Sequence, residues 1–176
     1  ADVNVDHATN YGYRQHQTHD RRLRAMAPQL PAATAISGSI ESALRELGIK
    51  PSKINRIDNG VELPRFSAGD ARCAAARRDL NVPEDACLIL SVGRNQPSKG
   101  FAIIPEVLAK LCEAKPNLVW AIVGDGVQAL QSDFDAVGLG DNVRLRDKTD
   151  YSSDRQFPSD ELIALYCAAD VFAFPS

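Results

Sequence analysis

The chain has 176 residues, 44% hydrophobic and 24% charged, which fits an ordinary water-soluble globular protein and is enough for one domain or for one small domain with part of another. With 20 basic and 23 acidic residues the net charge is −3, which excludes a general electrostatic drive toward nucleic acid and requires any polyanion site to be local. No apolar run approaches the length of a membrane span and no signal-peptide pattern opens the chain, which reads as a segment of something longer.

Val3–Val5 are extended in character, with His7 at the end of that run, where an isolated histidine is ordinarily just a polar strand terminus. Arg14, Arg21, Arg22 and Arg24 read as a solvated helix face. His16-x2-His19 lacks a carboxylate or cysteine partner at ligand spacing, so no metal site is expected. Residues 32–37 read as a short strand, after which Ile40, Ala43, Leu44 and Leu47 fall on one helical face and Gly48 takes the C-terminal glycine position. Residues 54–58 are extended, Asn59-Gly60 marks a turn, residues 61–70 read as a linker, and 71–80 as a short helix rich in alanine and arginine.

Regular alternation follows. Residues 87–92 form a buried strand, with a helix running to about Ala114 that Pro105 restricts to a start near Ile103 or Ile104. Residues 117–123 form the next strand, 128–137 a helix, 142–145 a third strand, and 146–156 a polar loop. Ser159 caps a helix reaching about Ala168, and 171–174 form a fourth strand. Strand–helix alternation of this kind predicts an α/β fold with a parallel, Rossmann-like sheet. The four cysteines, Cys73, Cys87, Cys112 and Cys167, lack Cys-x-x-Cys spacing and are expected to be reduced packing residues of a cytosolic protein.

Two strand ends carry possible chemistry. Gly93-Arg94-x4-Lys99-Gly100 places a forked cation and a point-charge cation after a buried strand, where open α/β folds bind ligands. These residues suit a diphosphate, although a surface turn with two solvated cations accounts for the spacing equally well. Gly124-Asp125-Gly126 is a second strand-end loop, either a tight structural turn or a close approach to a base or sugar.

In combination the motifs resemble the retaining, GT-B-fold glycosyltransferases of family 4, the group 1 transferases. The resemblance is carried by Ala35-Ile36-Ser37, by Ile57-Asp58-Asn59-Gly60-Val61-Glu62-x3-Phe66, by Leu90-Ser91-Val92-Gly93-Arg94-x4-Lys99-Gly100, and by Ala121-Ile122-Val123-Gly124-Asp125-Gly126. It continues through Asn142-Val143-Arg144 and the stretch from Leu165 to Pro175-Ser176. It implies that residues 1–60 end an acceptor-side Rossmann-like domain, that 61–80 are linker and short helix, and that 81–176 begin a nucleotide-sugar-binding domain.

Gly93, Arg94, Lys99 and Gly100 would then hold the donor diphosphate, and Gly124, Asp125, Gly126, Arg146, Asp147 and Leu162 would lie near the nucleotide. His7 would approach the transferred sugar as the catalytic residue. No cofactor or metal is implied beyond the nucleotide-diphosphate sugar, because cations and helix termini stabilise the leaving group. The acceptor would be a hydroxyl on a saccharide or lipid-linked molecule, with a cytoplasmic location and contact with the inner membrane face in the intact protein. The family's Glu-x7-Glu motif and the glycine-rich loop of its first domain are absent from these residues, and 147–157 is longer than usual. This segment alone is therefore expected to be inactive. A GT-B-fold nucleotide-sugar epimerase and a non-catalytic module that keeps the scaffold are the competing expectations.

Overall fold

A computed structural model describes residues 17–66, 69–147 and 158–176, apart from the side chains of residues 17–20 and 70. His7 and His16 lie outside the described residues, as does most of the polar loop after Arg146. Chain contacts divide the protein into two compact units between Val61 and Glu62.

In the first unit, helix α1 (Gln17–Met26) leads to strand β1 (Ala33–Ala35), helix α2 (Gly38–Glu46) and strand β2 (Ile54–Arg56). β1 and β2 pair in parallel, Ala33 opposite Ile54 and Ala35 opposite Arg56. Ser37 caps α2 by accepting from the Ile40 amide at 3.2 Å. The helix ends as its glycine predicts. Gly48, at φ +87°, donates to Arg45 O at 2.9 Å, and Ile49 donates back to Leu44 O at 3.2 Å, a Schellman pattern. Ile40, Leu44 and Ile49 close over Ala27 and Ala35 as the core of this unit.

The turn expected at Asn59-Gly60 does not form, and residues 57–62 run without a turn or bend. A two-residue turn of that kind joins antiparallel strands, whereas among the described residues β2 pairs only with the parallel β1. Part of the expected linker is instead helical, as α3 (Leu63–Phe66). Arg65 of α3 donates to Pro158 O at 2.8 Å and to Asp160 Oδ1 at 2.9 Å, so α3 is fastened to the second unit.

The second unit continues with α4 (Asp70–Asp79), β3 (Cys87–Val92), α5 (Ile104–Ala114), β4 (Leu118–Val123), α6 (Gln131–Ala136), β5 (Val143–Arg146), α7 (Asp160–Ala168) and β6 (Val171–Phe172). Its sheet is parallel, in the order β5-β4-β3-β6. The central strands β3 and β4 are apolar on both faces, as buried parallel strands must be, whereas the edge strand β5 alternates Val143 and Leu145 with Arg144 and Arg146. Leu88 and Leu90 of β3, with Val119, Ala121 and Val123 of β4, pack with α4 and α7. Ile89, Leu118, Trp120 and Ile122 pack on the other side with α5 and α6, around Phe101, Ile104, Leu108 and Phe134.

The chain steps outward from β3 to β4 to β5 and then returns to the other side of β3 as β6. The crevice between β3 and β6 is therefore the topological switch point, where open α/β sheets bind ligands beyond the strand carboxyl ends.

The cysteine expectation is corrected. Cys73 of α4 and Cys167 of α7 form a disulfide, with Cα atoms 5.2 Å apart across 94 residues of sequence, while Cys87 and Cys112 are free. Sequence spacing could not show this pair, because the packing of α4 against α7 creates it.

Candidate functional site at the carboxyl edge of the sheet

Three strand ends are tied into one edge. After β3 the Gly93 amide donates to Val123 O at 2.9 Å, and the Asn95 amide donates to Asp125 O at 2.9 Å. Asn95 Nδ2 adds a bond to Gly126 O at 3.1 Å. After β4 the Gly124 amide donates to Arg146 O at 2.9 Å, which brings in β5. Gly124 has φ +148°, and a Cβ there would collide with the Gly93 carbonyl. The Gly93-Arg94 turn and the Gly124–Gly126 loop are thus adjoining parts of one edge, and glycine at 124 is what permits it.

The cations rise from the segment after β3. Pro97–Lys99 form a 3₁₀ turn closed by Gly100 at φ +66°, a second 3₁₀ turn follows at Phe101–Ile103, and α5 begins only at Ile104 with Pro105 in its first turn. Two tight turns therefore separate Arg94 from the α5 N-terminus, and the charge at this edge comes mainly from side chains. Arg94 is exposed and has no carboxylate partner among the described residues. Lys99 has none there either, and its Nζ lies 4.9 Å from the centre of the Phe174 ring. A Cβ on Gly93 would sit 3.7 Å from the Lys99 stem, so the lysine passes directly over this glycine. A Cβ on Gly100 would strike the Pro175 carbonyl, which brings the segment after β6 against the same turn.

The residues expected near a nucleotide are placed differently from one another. Asp125 and Gly126 are exposed at the end of β4. Arg146 ends β5 and is already paired with Glu161 of α7 at 2.8 Å, so its charge is locally balanced. Asp147 accepts from the Gln128 amide at 3.4 Å, while Gln128 Nε2 donates to Leu145 O at 2.8 Å. Leu162 is turned into the core, and its amide is capped by Ser159 Oγ at 3.2 Å. Its side chain serves packing.

Asn95, Gln128, Glu161 and Phe174 are placed at this edge without having been singled out in the sequence. Asn95 and Phe174 carried a signal, since one adjoins Arg94 and the other ends a predicted strand. Glu161 carried none.

Chemically, the edge offers a forked cation and a point charge, both without acidic partners among the described residues, over backbone that lacks a Cβ at Gly93. Such a site attracts a multiply charged anion, and bidentate bonding by arginine suits phosphate oxygens.

Comparison with known proteins agrees with this geometry. Residues 74–176 match the family described as Glycosyl transferases group 1. The D-inositol 3-phosphate glycosyltransferase of Corynebacterium efficiens is 35% identical over 133 residues, covering 72% of this chain and 30% of that protein. The Thermobifida fusca protein of the same name is 34% identical over 165 residues, covering 88% and 35%. The chain thus spans about a third of the length of these relatives.

Among solved structures, HepE of Anabaena in complex with UDP-glucose aligns with a TM-score of 0.73 at 21% identity, covering 90% of this chain and 42% of that one. UDP-GlcNAc 2-epimerase of Neisseria meningitidis bound to UDP-GlcNAc aligns at 0.52 and 13% identity, covering 93% and 45%. At these identities the structural likeness shows the fold. With its matched sequence, its parallel α/β sheet and its cationic switch-point edge, the chain belongs to the group 1 glycosyltransferases of family 4, with the GT-B fold.

Proposed function

We propose that the intact protein binds a nucleoside-diphosphate sugar, with UDP as the nucleotide, and transfers the sugar to a hydroxyl acceptor with retention of configuration. The observation that carries this reading is the pair of cations, Arg94 and Lys99, that have no acidic partner among the described residues and stand on the turn beside the switch point. The naming of relatives as D-inositol 3-phosphate glycosyltransferases supports transfer chemistry, and the UDP-glucose complex of HepE supports the choice of nucleotide.

In this reading Arg94 bonds the phosphate oxygens through its fork, and Lys99 neutralises the charge that builds on the diphosphate as the sugar–phosphate bond breaks. Glycine at 93 lets the Lys99 stem and the Phe101 ring lie close over the strand end. Asp125, Gly126 and the end of β5 face the nucleoside, and His7 acts at the sugar.

The test is calorimetric titration of the intact protein with UDP, GDP and ADP. UDP is expected to bind tightest, and Arg94→Ala to weaken it by about tenfold or more, the loss of a charge-assisted hydrogen bond. Absence of binding by all three nucleotides, or unchanged UDP affinity in Arg94→Ala, would overturn the donor-site assignment. An epimerase on the same fold would instead return an altered nucleotide sugar with no glycosylated acceptor, which product analysis separates.

A further inference from the structure

Lys99 is the point-charge member of the cation pair, on a flexible four-carbon stem. An unrestrained lysine loses side-chain freedom whenever it closes on an anion, and this loss weakens binding. A carboxylate partner would hold the ammonium in place but would also cancel its charge and compete with the anion. The face of an aromatic ring holds it without either penalty, since the attraction is to the ring quadrupole and the net charge survives.

Resting on the donor-site reading above, we infer that Phe174 is a positioning residue for Lys99. Its ring stands 4.9 Å from Nζ and keeps the ammonium at the diphosphate edge before the donor arrives.

Phe174 is 49% exposed, yet it is held from several directions. Its ring stacks on Phe172 at 6.2 Å and 14°, and Phe172 leans on Tyr166 of α7 at 5.4 Å and 48°. Burial pushes the Tyr166 phenol above its ordinary value, so this ladder carries no anion to draw Lys99 away.

The backbone of the same segment is fixed independently. The Ala173 amide donates to Leu90 O at 2.9 Å, and Ala173 O accepts from the fully buried Ser91 Oγ at 2.7 Å. Ser91 in turn accepts from Trp120 Nε1 at 3.0 Å, so a buried relay runs from β4 through β3 to the residue before Phe174. On the far side the Pro175 carbonyl abuts Gly100, the residue after Lys99. The segment after β6 therefore meets the cationic turn twice, through a ring on Lys99 and through backbone on Gly100.

The test is a double-substitution cycle in the intact protein, read with UDP and with uridine, which lacks the phosphates. Phe174→Leu keeps the apolar bulk and removes the ring face. It is expected to weaken UDP by about three- to tenfold and to leave uridine unchanged. Phe174→Tyr is expected to stay within about twofold of the parent, because the ring face is retained. In a Lys99→Met background Phe174→Leu should have no further effect. In the free protein the Lys99 Hε resonances should show an upfield ring-current shift that Phe174→Leu abolishes and Phe174→Tyr keeps.

Equal losses for UDP and uridine, full additivity with Lys99→Met, or no ring-current shift in the parent would each overturn the inference. Failure of the parent protein to bind UDP would overturn the donor-site reading itself, and this role with it. That result is distinct from a parent that binds UDP and is insensitive to Phe174→Leu.

Discussion

Gly124 joins two strand ends through a contact that no other residue type allows. Its amide serves Arg146 O on one side, while the direction a side chain would take is filled by the Gly93 carbonyl. Gly124→Ala would combine an unfavourable φ with a backbone collision, and relief requires β3 and β4 to separate where they carry the Arg94 turn. The expected cost is about 2–4 kcal/mol. Urea unfolding followed by the emission of the buried Trp120 measures it, and UDP affinity should fall as well. Unchanged stability would show that the two loops can part without loss.

The sequence disclosed the ingredients of this edge but not their fit. A glycine after a buried apolar run is legible at 93 and at 124. Their mutual contact depends on the register that sets Val92 opposite Val123, which composition does not encode. Phe174 was legible as part of a strand and invisible as a partner of Lys99, since that contact spans the switch point. Leu162, which the family resemblance set near the nucleotide, packs its side chain in the core.

At the scale of elements, local chemistry was read well wherever a side chain acts on its own helix. Ser159 caps α7, Gly48 terminates α2, and Pro105 delays α5 to Ile104. What escaped was the tertiary join between α4 and α7. Arg77 of α4 donates to Ala168 O at 2.9 Å and pairs with Asp170 at 3.4 Å, and the Cys73–Cys167 bond lies along the same contact. Asp170 Oδ2 also receives the Leu88 amide at 2.7 Å, so the join reaches the start of β3.

A bond closing 94 residues removes considerable freedom from the unfolded chain, and its loss is expected to cost about 2–4 kcal/mol. Thermal unfolding with and without dithiothreitol should show a lower Tm under reduction, and Cys73→Ser should match the reduced protein and no longer respond to reductant. Equal Tm values in both conditions would mean that Arg77 and the apolar contacts already supply the join.

For the whole molecule the decisive point is where the groups proposed to bind the donor lie. Gly93, Arg94, Lys99, Gly100, the Gly124–Gly126 loop and Phe174 all belong to the unit that begins at Glu62, whereas His7 precedes it in the sequence and lies outside the described residues. If the second unit binds the donor and His7 acts on the transferred sugar, binding and chemistry should separate on substitution. His7→Ala in the intact protein is expected to lower kcat by roughly a hundredfold or more while changing the UDP dissociation constant by no more than about twofold. Arg94→Ala should do the reverse at the level of binding, raising the dissociation constant by about tenfold or more. The pair of measurements is informative because the net charge of −3 on these residues offers no general attraction for the diphosphate, so its binding rests on local cations. A His7→Ala protein that lost UDP binding as fully as Arg94→Ala would place the histidine in donor recognition. One with normal kcat would remove it from the chemistry altogether.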